Sequence, residues 1–286
     1  MSSSIPASAT RSTPAPFGVL PRGARVRAAA IWLPLLVLLV ITVAGRWLAP
    51  YDPDAPAVRD KLQPPSLAHP MGTDPLGRDV LSRVMAGARN TVPNVVFILA
   101  GGVGIGVAVG VVAGYTGGTV DGGLMRITDV FMAFPALVLA LAIVAVLGPS
   151  LLNATLAMIA VWWPWYARLV RGQVLSIKHE AYVDAARSLG CANGRILLRH
   201  VLPNSAAPVA VQASLDVGAA LLTTATLGYL GVGAQPPSSE WGAMLAQGRT
   251  FFLEAWWLTG FPGLAIFATV LVANAAGRRL REKLAV

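Results

Sequence analysis

The sequence predicts an all-α membrane protein of six transmembrane helices, and three observations carry the prediction. The 286 residues are 55% hydrophobic and only 12% charged, with a mean hydropathy of +0.64, whereas a soluble domain carries about 25% charged residues. The apolar excess lies in long uncharged runs, and a hydrocarbon core about 30 Å thick needs roughly 20 such residues in a helix. The charges between the runs sort by side. With six spans, the face holding both termini has fifteen Lys and Arg against five Asp and Glu, and the other face has seven of each. The positive-inside rule then puts both termini in the cytoplasm. The formal charge of +9 is thereby orientation in a membrane, not nucleic-acid binding. The single cysteine, Cys191, leaves no intrachain disulfide.

Span one, residues 28–45, lies between Arg27 and Arg46. It is longer than a signal-peptide core and lacks a small-x-small cleavage site before Arg46. Residues 1–27 read as a cytoplasmic tail, disordered for their Ser, Pro and Ala content. A proline-rich outer segment follows, in which Asp74-Pro75 signals a helix start. Val80, Leu81, Val84, Met85 and Ala88 then share one face. This helix either lies along the bilayer surface or docks an outside partner, with Asp74, Arg78 and Asp79 as candidate contacts.

Span two, residues 91–115, carries Gly102, Gly106, Gly110 and Gly114, one face of small residues that lets another backbone approach closely. That partner is a helix of the same bundle or of a second subunit. The uncharged stretch 130–167 is about twice one span, and Gly148-Pro149-Ser150 at its middle is a turn signal. It reads as spans 130–147 and 151–167 in a tight hairpin. Span five, residues 205–230, ends before Gly231, and a second outer segment follows with a short helix around Trp241 to Gly248. Trp241 joins the outer-interface candidates. Span six covers residues 256–276, completing a six-helix membrane domain of 28–277, and 278–286 form a cytoplasmic tail. Trp47, Trp256 and Trp257 fall at outer ends of spans and Trp162, Trp163 and Trp165 near an inner end, as interfacial belts require.

Enzyme chemistry finds little support. The only lysines are Lys61, Lys178 and Lys283, and none follows a glycine, so no phosphate-cradling loop exists. His179-Glu180 begins a zinc-protease pattern, but Val183 stands where the second histidine belongs. No G-x-S-x-G elbow and no cluster of metal ligands occurs, so no metal or cofactor is expected on this chain. Asp216 is the one carboxylate well inside a span, where a charge costs about 2.5–3.5 kcal/mol on insertion scales. It serves structural hydrogen bonding, or it belongs to a permeation path or a proton-coupling site. An ion-coupled secondary transporter using Asp216 is therefore one functional reading.

The richest stretch is the cytoplasmic loop Arg168 to His200. Residues 179–189 are good helix material, Gly190 supplies a left-handed stop, and Ala181, Ala185 and Ala186 keep the helix slim enough for a groove on a soluble protein. Tyr182, Val183, Asp184-Ala185-Ala186, three further residues with Leu189, Gly190, and then Leu202-Pro203 resemble the EAA loop of permease subunits of binding-protein-dependent ABC importers. Asp184 replaces the usual glutamate and His200 the usual isoleucine. Met71 to Arg83, Thr226 to Pro237, Trp241 to Leu245 and Phe261-Pro262-Gly263 are similar to the dipeptide/oligopeptide branch, which includes nickel transporters. The basic run Gly277 to Arg281 departs from it.

The resemblance implies the type I ABC importer permease fold and an assembly with a paralogous permease, two cytoplasmic ATPases and an external substrate-binding protein. ATP and Mg would then bind the ATPases, not this chain. It also implies that Tyr182 to Gly190 and Leu202-Pro203 couple to the ATPases, and that di- or oligopeptides or a related small ligand are carried. An isolated membrane scaffold or enzyme is the remaining, weaker alternative.

Overall fold

The computed structural model describes residues 22–284, with side chains over 32–283. Of the predicted disordered tail 1–27, residues 1–21 lie outside the described residues, and the remainder is helical. Within the described residues the regular structure is helical, with a largely non-helical segment between Leu48 and Val80 that holds one isolated β-bridge, Thr73 to Asp79. α1 (Arg22–Leu48) begins inside the predicted tail and exposes Leu33, Leu36, Val40 and Val43, while Leu38 and Ile41 pack inward.

α2 (Val80–Thr116) is one 37-residue helix, about 55 Å long at 1.5 Å per residue. The expected start at Asp74 and the separate interfacial helix are both corrected here. Asp74 closes a turn instead, accepting from the N–H groups of Leu76 at 2.8 Å and Arg78 at 3.0 Å, with Gly77 at φ +77°. The N-cap is Asp79, whose carboxylate accepts from the Ser82 N–H at 2.8 Å. From there the helix runs without a break into span two.

The predicted third span is also corrected. The expected loop 117–129 and the first residues of that span instead form α3 (Gly118–Met132), which meets α4 (Ala136–Leu147) at 88°. Pro135 has no N–H to donate and disfavours helix at Phe134, so the ladder stops there. The hairpin at Gly148-Pro149-Ser150 is present. Ser150 caps α5 (Leu151–Ile177) by accepting from the Asn153 N–H at 3.0 Å, and Asn153 Nδ2 donates to the Leu147 and Gly148 carbonyls at 2.8 and 2.9 Å. α5 continues well past residue 167. Trp162, Trp163 and Trp165 sit in the middle of that helix.

Beyond α5 come the short α6 (Ala181–Ser188) and α7 (Asn193–Ile196), a π turn at Leu197–Val201, and α8 (Leu202–Tyr229), which ends before Gly231. α9 (Trp241–Gly248) precedes α10 (Trp257–Leu284), which carries helix through most of the predicted C-terminal tail. Among the described residues, Val80–Thr116, Asn193–Tyr229 and Trp257–Lys283 are each long and apolar enough to cross a membrane, and the pair α3 and α4, counted together as one broken span, makes a fourth.

Burial is arranged in three clusters along the bundle. Val80, Val84, Ala88, Trp241, Met244 and Trp257 pack α2, α9 and α10 at one end. Ile98, Val144, Met158 and Leu227 join α2, α4, α5 and α8 in a second cluster. Tyr166, Val170, Val174, Val183, Ile196 and Val201 tie α5 to α6, α7 and α8 at the other end.

Candidate functional site

The glycine face of α2 is the frame on which the sites are built. A Cβ at Gly106 would lie 2.4 Å from the Tyr166 Cβ, one at Gly110 2.5 Å from the Ala167 carbonyl oxygen, and those at Gly102 and Gly114 within 3.0 Å of Trp162 and Val174. The stripe therefore packs against α5 of the same chain, which closes it to a second subunit. Close approach through small residues is how membrane helices gain contact when lipid supplies no hydrophobic drive.

At one end of the bundle α6 is pinned by one buried side chain. Val183 is fully buried among Tyr166, Val174 and Ile196. Around it Tyr182, Asp184, Ala185 and Gly190 are exposed, Leu189 is 85% exposed, and Ala186 is half-buried. The helix stop is a Schellman cap. Gly190, at φ +77°, donates its N–H to the Arg187 carbonyl at 3.0 Å and Cys191 donates to Ala186 at 3.1 Å. Leu202 is half-buried and Pro203 exposed at the start of α8.

Braces hold this loop to the bundle. Arg171 Nε and Nη2 donate to the two carboxylate oxygens of Asp121 at 2.6 and 2.7 Å. The Arg171 hydrogen bond holds the Asp121 carboxyl below the usual carboxylate range, and the same bond raises the Arg171 guanidinium. Lys178 Nζ donates to the Gly114 carbonyl at 3.0 Å, where α2 has unsatisfied C-terminal carbonyls. Tyr115 donates to Asn193 Oδ1 at 3.0 Å, and Asn204 Nδ2 to the His200 carbonyl at 2.6 Å.

The other end is a lobe in which all four predicted docking residues are buried: Asp74, Arg78, Asp79 and Trp241. They are corrected from exposed contacts to framework. Arg78 Nε donates to Asp74 at 2.6 Å, and Trp241 Nε1 to the Val84 carbonyl at 2.9 Å. His69 Nδ1 stands 2.9 Å from Asp79.

Two residues the sequence reading passed over fasten the lobe. Arg83, buried, donates to the carbonyls of Pro53 at 3.1 Å and Ser238 at 3.3 Å, linking both outer segments. Glu240, also buried, caps α9 by accepting from the Gly242 and Ala243 N–H groups, each at 2.9 Å, and accepts from the Thr91 hydroxyl at 3.4 Å. Burial pushes its carboxyl above the usual range, against the pull of those backbone donors. An acidic residue just ahead of a predicted helix was the available signal. Between the segments, Arg46, Asp54, Arg89, Asn90 and Ser238 line a polar cleft of about 430 Å³.

Asp216, halfway along α8, is held at both carboxylate oxygens. Tyr166 donates its hydroxyl at 2.6 Å and Gln212 its side-chain amide at 2.8 Å. The carboxylate borders a cavity of about 330 Å³ between the α3–α4 bend, α5 and α8.

Comparison with known proteins places this architecture. The chain is 43% identical over 250 residues to the Probable D,D-dipeptide transport system permease protein DdpC of Escherichia coli (strain K12), covering 87% of this chain and 84% of that one. It is 46% identical over 225 residues, 79% of this chain and 74% of the relative, to the Dipeptide transport system permease protein DppC of Alkalihalophilus pseudofirmus. The Glutathione transport system permease protein GsiD of Escherichia coli O6:K15:H31 is 43% identical over 87% of this chain and 83% of its own length. In fold, the chain is similar to a structure described as inward facing conformations of the MetNI methionine ABC transporter, with a TM-score of 0.57 at 19% identity, covering 70% of this chain and 95% of that one. The family model for the binding-protein-dependent transport system inner membrane component matches residues 106–285, and the chain belongs to that family.

Proposed function

We propose that this chain is the permease subunit of an ATP-driven importer of short peptides, working as a six-span protein with both termini in the cytoplasm. It pairs with a paralogous permease, two cytoplasmic ATPases, and an external binding protein seated on the outer lobe and its polar cleft. The relatives named for dipeptide and glutathione transport support the substrate class. Nothing in the comparisons favours an ion-coupled transporter.

The observation that carries the coupling role is the geometry of α6. One buried anchor, Val183, holds a short helix whose Tyr182, Ala185 and Leu189 remain outside the core. Such a helix suits a groove on a soluble partner. ATP-driven closure of the ATPases would carry α6, and through Val183 the inner cluster, switching the bundle between two states.

The test uses the complete importer. With Cys191→Ala removing the native thiol, single cysteines at Tyr182, Ala185 and Leu189 are expected to cross-link to an ATPase subunit. Failure at all three in an assembled, transport-active complex would refute docking at this helix.

A further inference from the structure

Asp216 is an ionisable group in mid-span with two neutral donors. Among the described residues no basic side chain lies within salt-bridge distance of it. Fourteen residues of α8 precede it and thirteen follow, so it sits roughly 20 Å from either helix end at 1.5 Å per residue. A carboxylate has about four lone-pair positions; Tyr166 and Gln212 fill one on each oxygen, leaving one free on each. A carboxylate kept at that depth calls for a cationic partner.

The space beside it has the matching character. Phe131, Phe134, Trp162 and Trp165 wall the cavity into which Asp216 and Gln212 project, and its volume is about 330 Å³. Aromatic faces attract a cation through the ring quadrupole, by about 0.5–1 kcal/mol when exposed and about 2 kcal/mol or more when desolvated. The bend at Phe134-Pro135 holds α3 and α4 at 88° and so keeps the cavity from closing.

We propose that this cavity is a substrate site within the membrane, in which Asp216 and the aromatic walls bind the N-terminal ammonium group of the transported peptide. The assignment rests on the peptide-importer reading above. Tyr166 and Gln212 act as positioning residues that fix the carboxylate, and the neutral walls leave the remainder of the peptide unselected.

The experiment uses the purified complex of permeases and ATPases without the binding protein, so that external selection does not contribute. Radiolabelled dialanine is the probe in equilibrium dialysis, and ATP-dependent dialanine uptake by the complete importer is measured in parallel. Expected are saturable binding to the wild-type complex, at least tenfold weaker binding in Asp216→Asn, recovery in Asp216→Glu, and several-fold weakening in Trp165→Leu. N-acetyl-dialanine, lacking the ammonium, should fail to compete. If Asp216→Asn does not assemble, Trp165→Leu and the N-acetyl competition decide the matter. Uptake without wild-type binding, unchanged binding in the variants, or equal competition by N-acetyl-dialanine would overturn the site and leave the importer reading standing. Absence of both uptake and binding would overturn the peptide reading and this site with it.

Discussion

Gly106 and Tyr166 meet backbone to side chain: a Cβ on Gly106 would lie 2.4 Å from the Tyr166 Cβ and 2.8 Å from the Trp163 carbonyl oxygen. The same Tyr166 orients Asp216, so packing at Gly106 bears on the mid-helix carboxylate at second hand. Gly106→Ala should cost about 1–3 kcal/mol through overpacking and lower the thermal midpoint of the purified complex. Gly104→Ala, with open space where its Cβ would stand, should instead be neutral or gain up to about 1 kcal/mol from helix propensity. Equal midpoints for the two variants would contradict tight α2–α5 packing.

Gly190 has no neighbour within 4 Å of an added Cβ, yet its φ of +77° is left-handed. A β-branched residue is strained there, while asparagine tolerates it. Gly190→Val is expected to abolish ATP-driven uptake by unwinding the Schellman cap, and Gly190→Asn to keep a substantial part of it. Similar uptake in both variants would show that backbone conformation at this position is not what coupling requires.

Glu240 supplies a pH dependence whose sign follows from its raised carboxyl. A carboxyl raised in the folded state keeps its proton where the unfolded chain has released it. Its contribution to stability is therefore full below the ordinary carboxylate range and is lost as pH rises through that range towards the raised folded value. Melting of the complex at a fixed scan rate, from about pH 4 to pH 8, should show this loss, and Glu240→Gln should flatten it. Glutamine presents one acceptor oxygen where two backbone N–H groups point, so the variant should also be about 0.5–2 kcal/mol less stable as a weakened cap. An unchanged slope in Glu240→Gln would assign the pH response elsewhere.

What was legible in the sequence is what local chemistry fixes. Gly148-Pro149-Ser150 marks a turn because each residue has its own backbone reason to be there, and the structure turns there. Gly190 stops α6 and Gly231 follows the end of α8 for the same reason. The glycine spacing on α2 announced a close contact, but only tertiary structure identifies α5 as its partner.

The errors share a cause. Asp74-Pro75 has the composition of a helix start, but Asp74 pairs with Arg78 and closes a turn, and Asp79 takes the cap. Charged residues between spans read as surface, whereas long-range pairing through Arg83 and Glu240 buries them, and no window of sequence contains both partners. The break at Phe134-Pro135 was readable from the proline alone, but an uninterrupted apolar run from Val130 outweighed it.

The unbroken course of α2 has a mechanical consequence. Its first turn is clamped by Arg83 into the lobe that Trp241 and Glu240 help to build, and its last carbonyls receive Lys178 beside the α6 loop. Between those clamps the glycine seam lies flush against α5. A push on the lobe and a pull on the loop therefore act on opposite ends of one continuous helix, so that a change at one end of the bundle is felt at the other as tilt, with no chain of side-chain rearrangements needed to relay it.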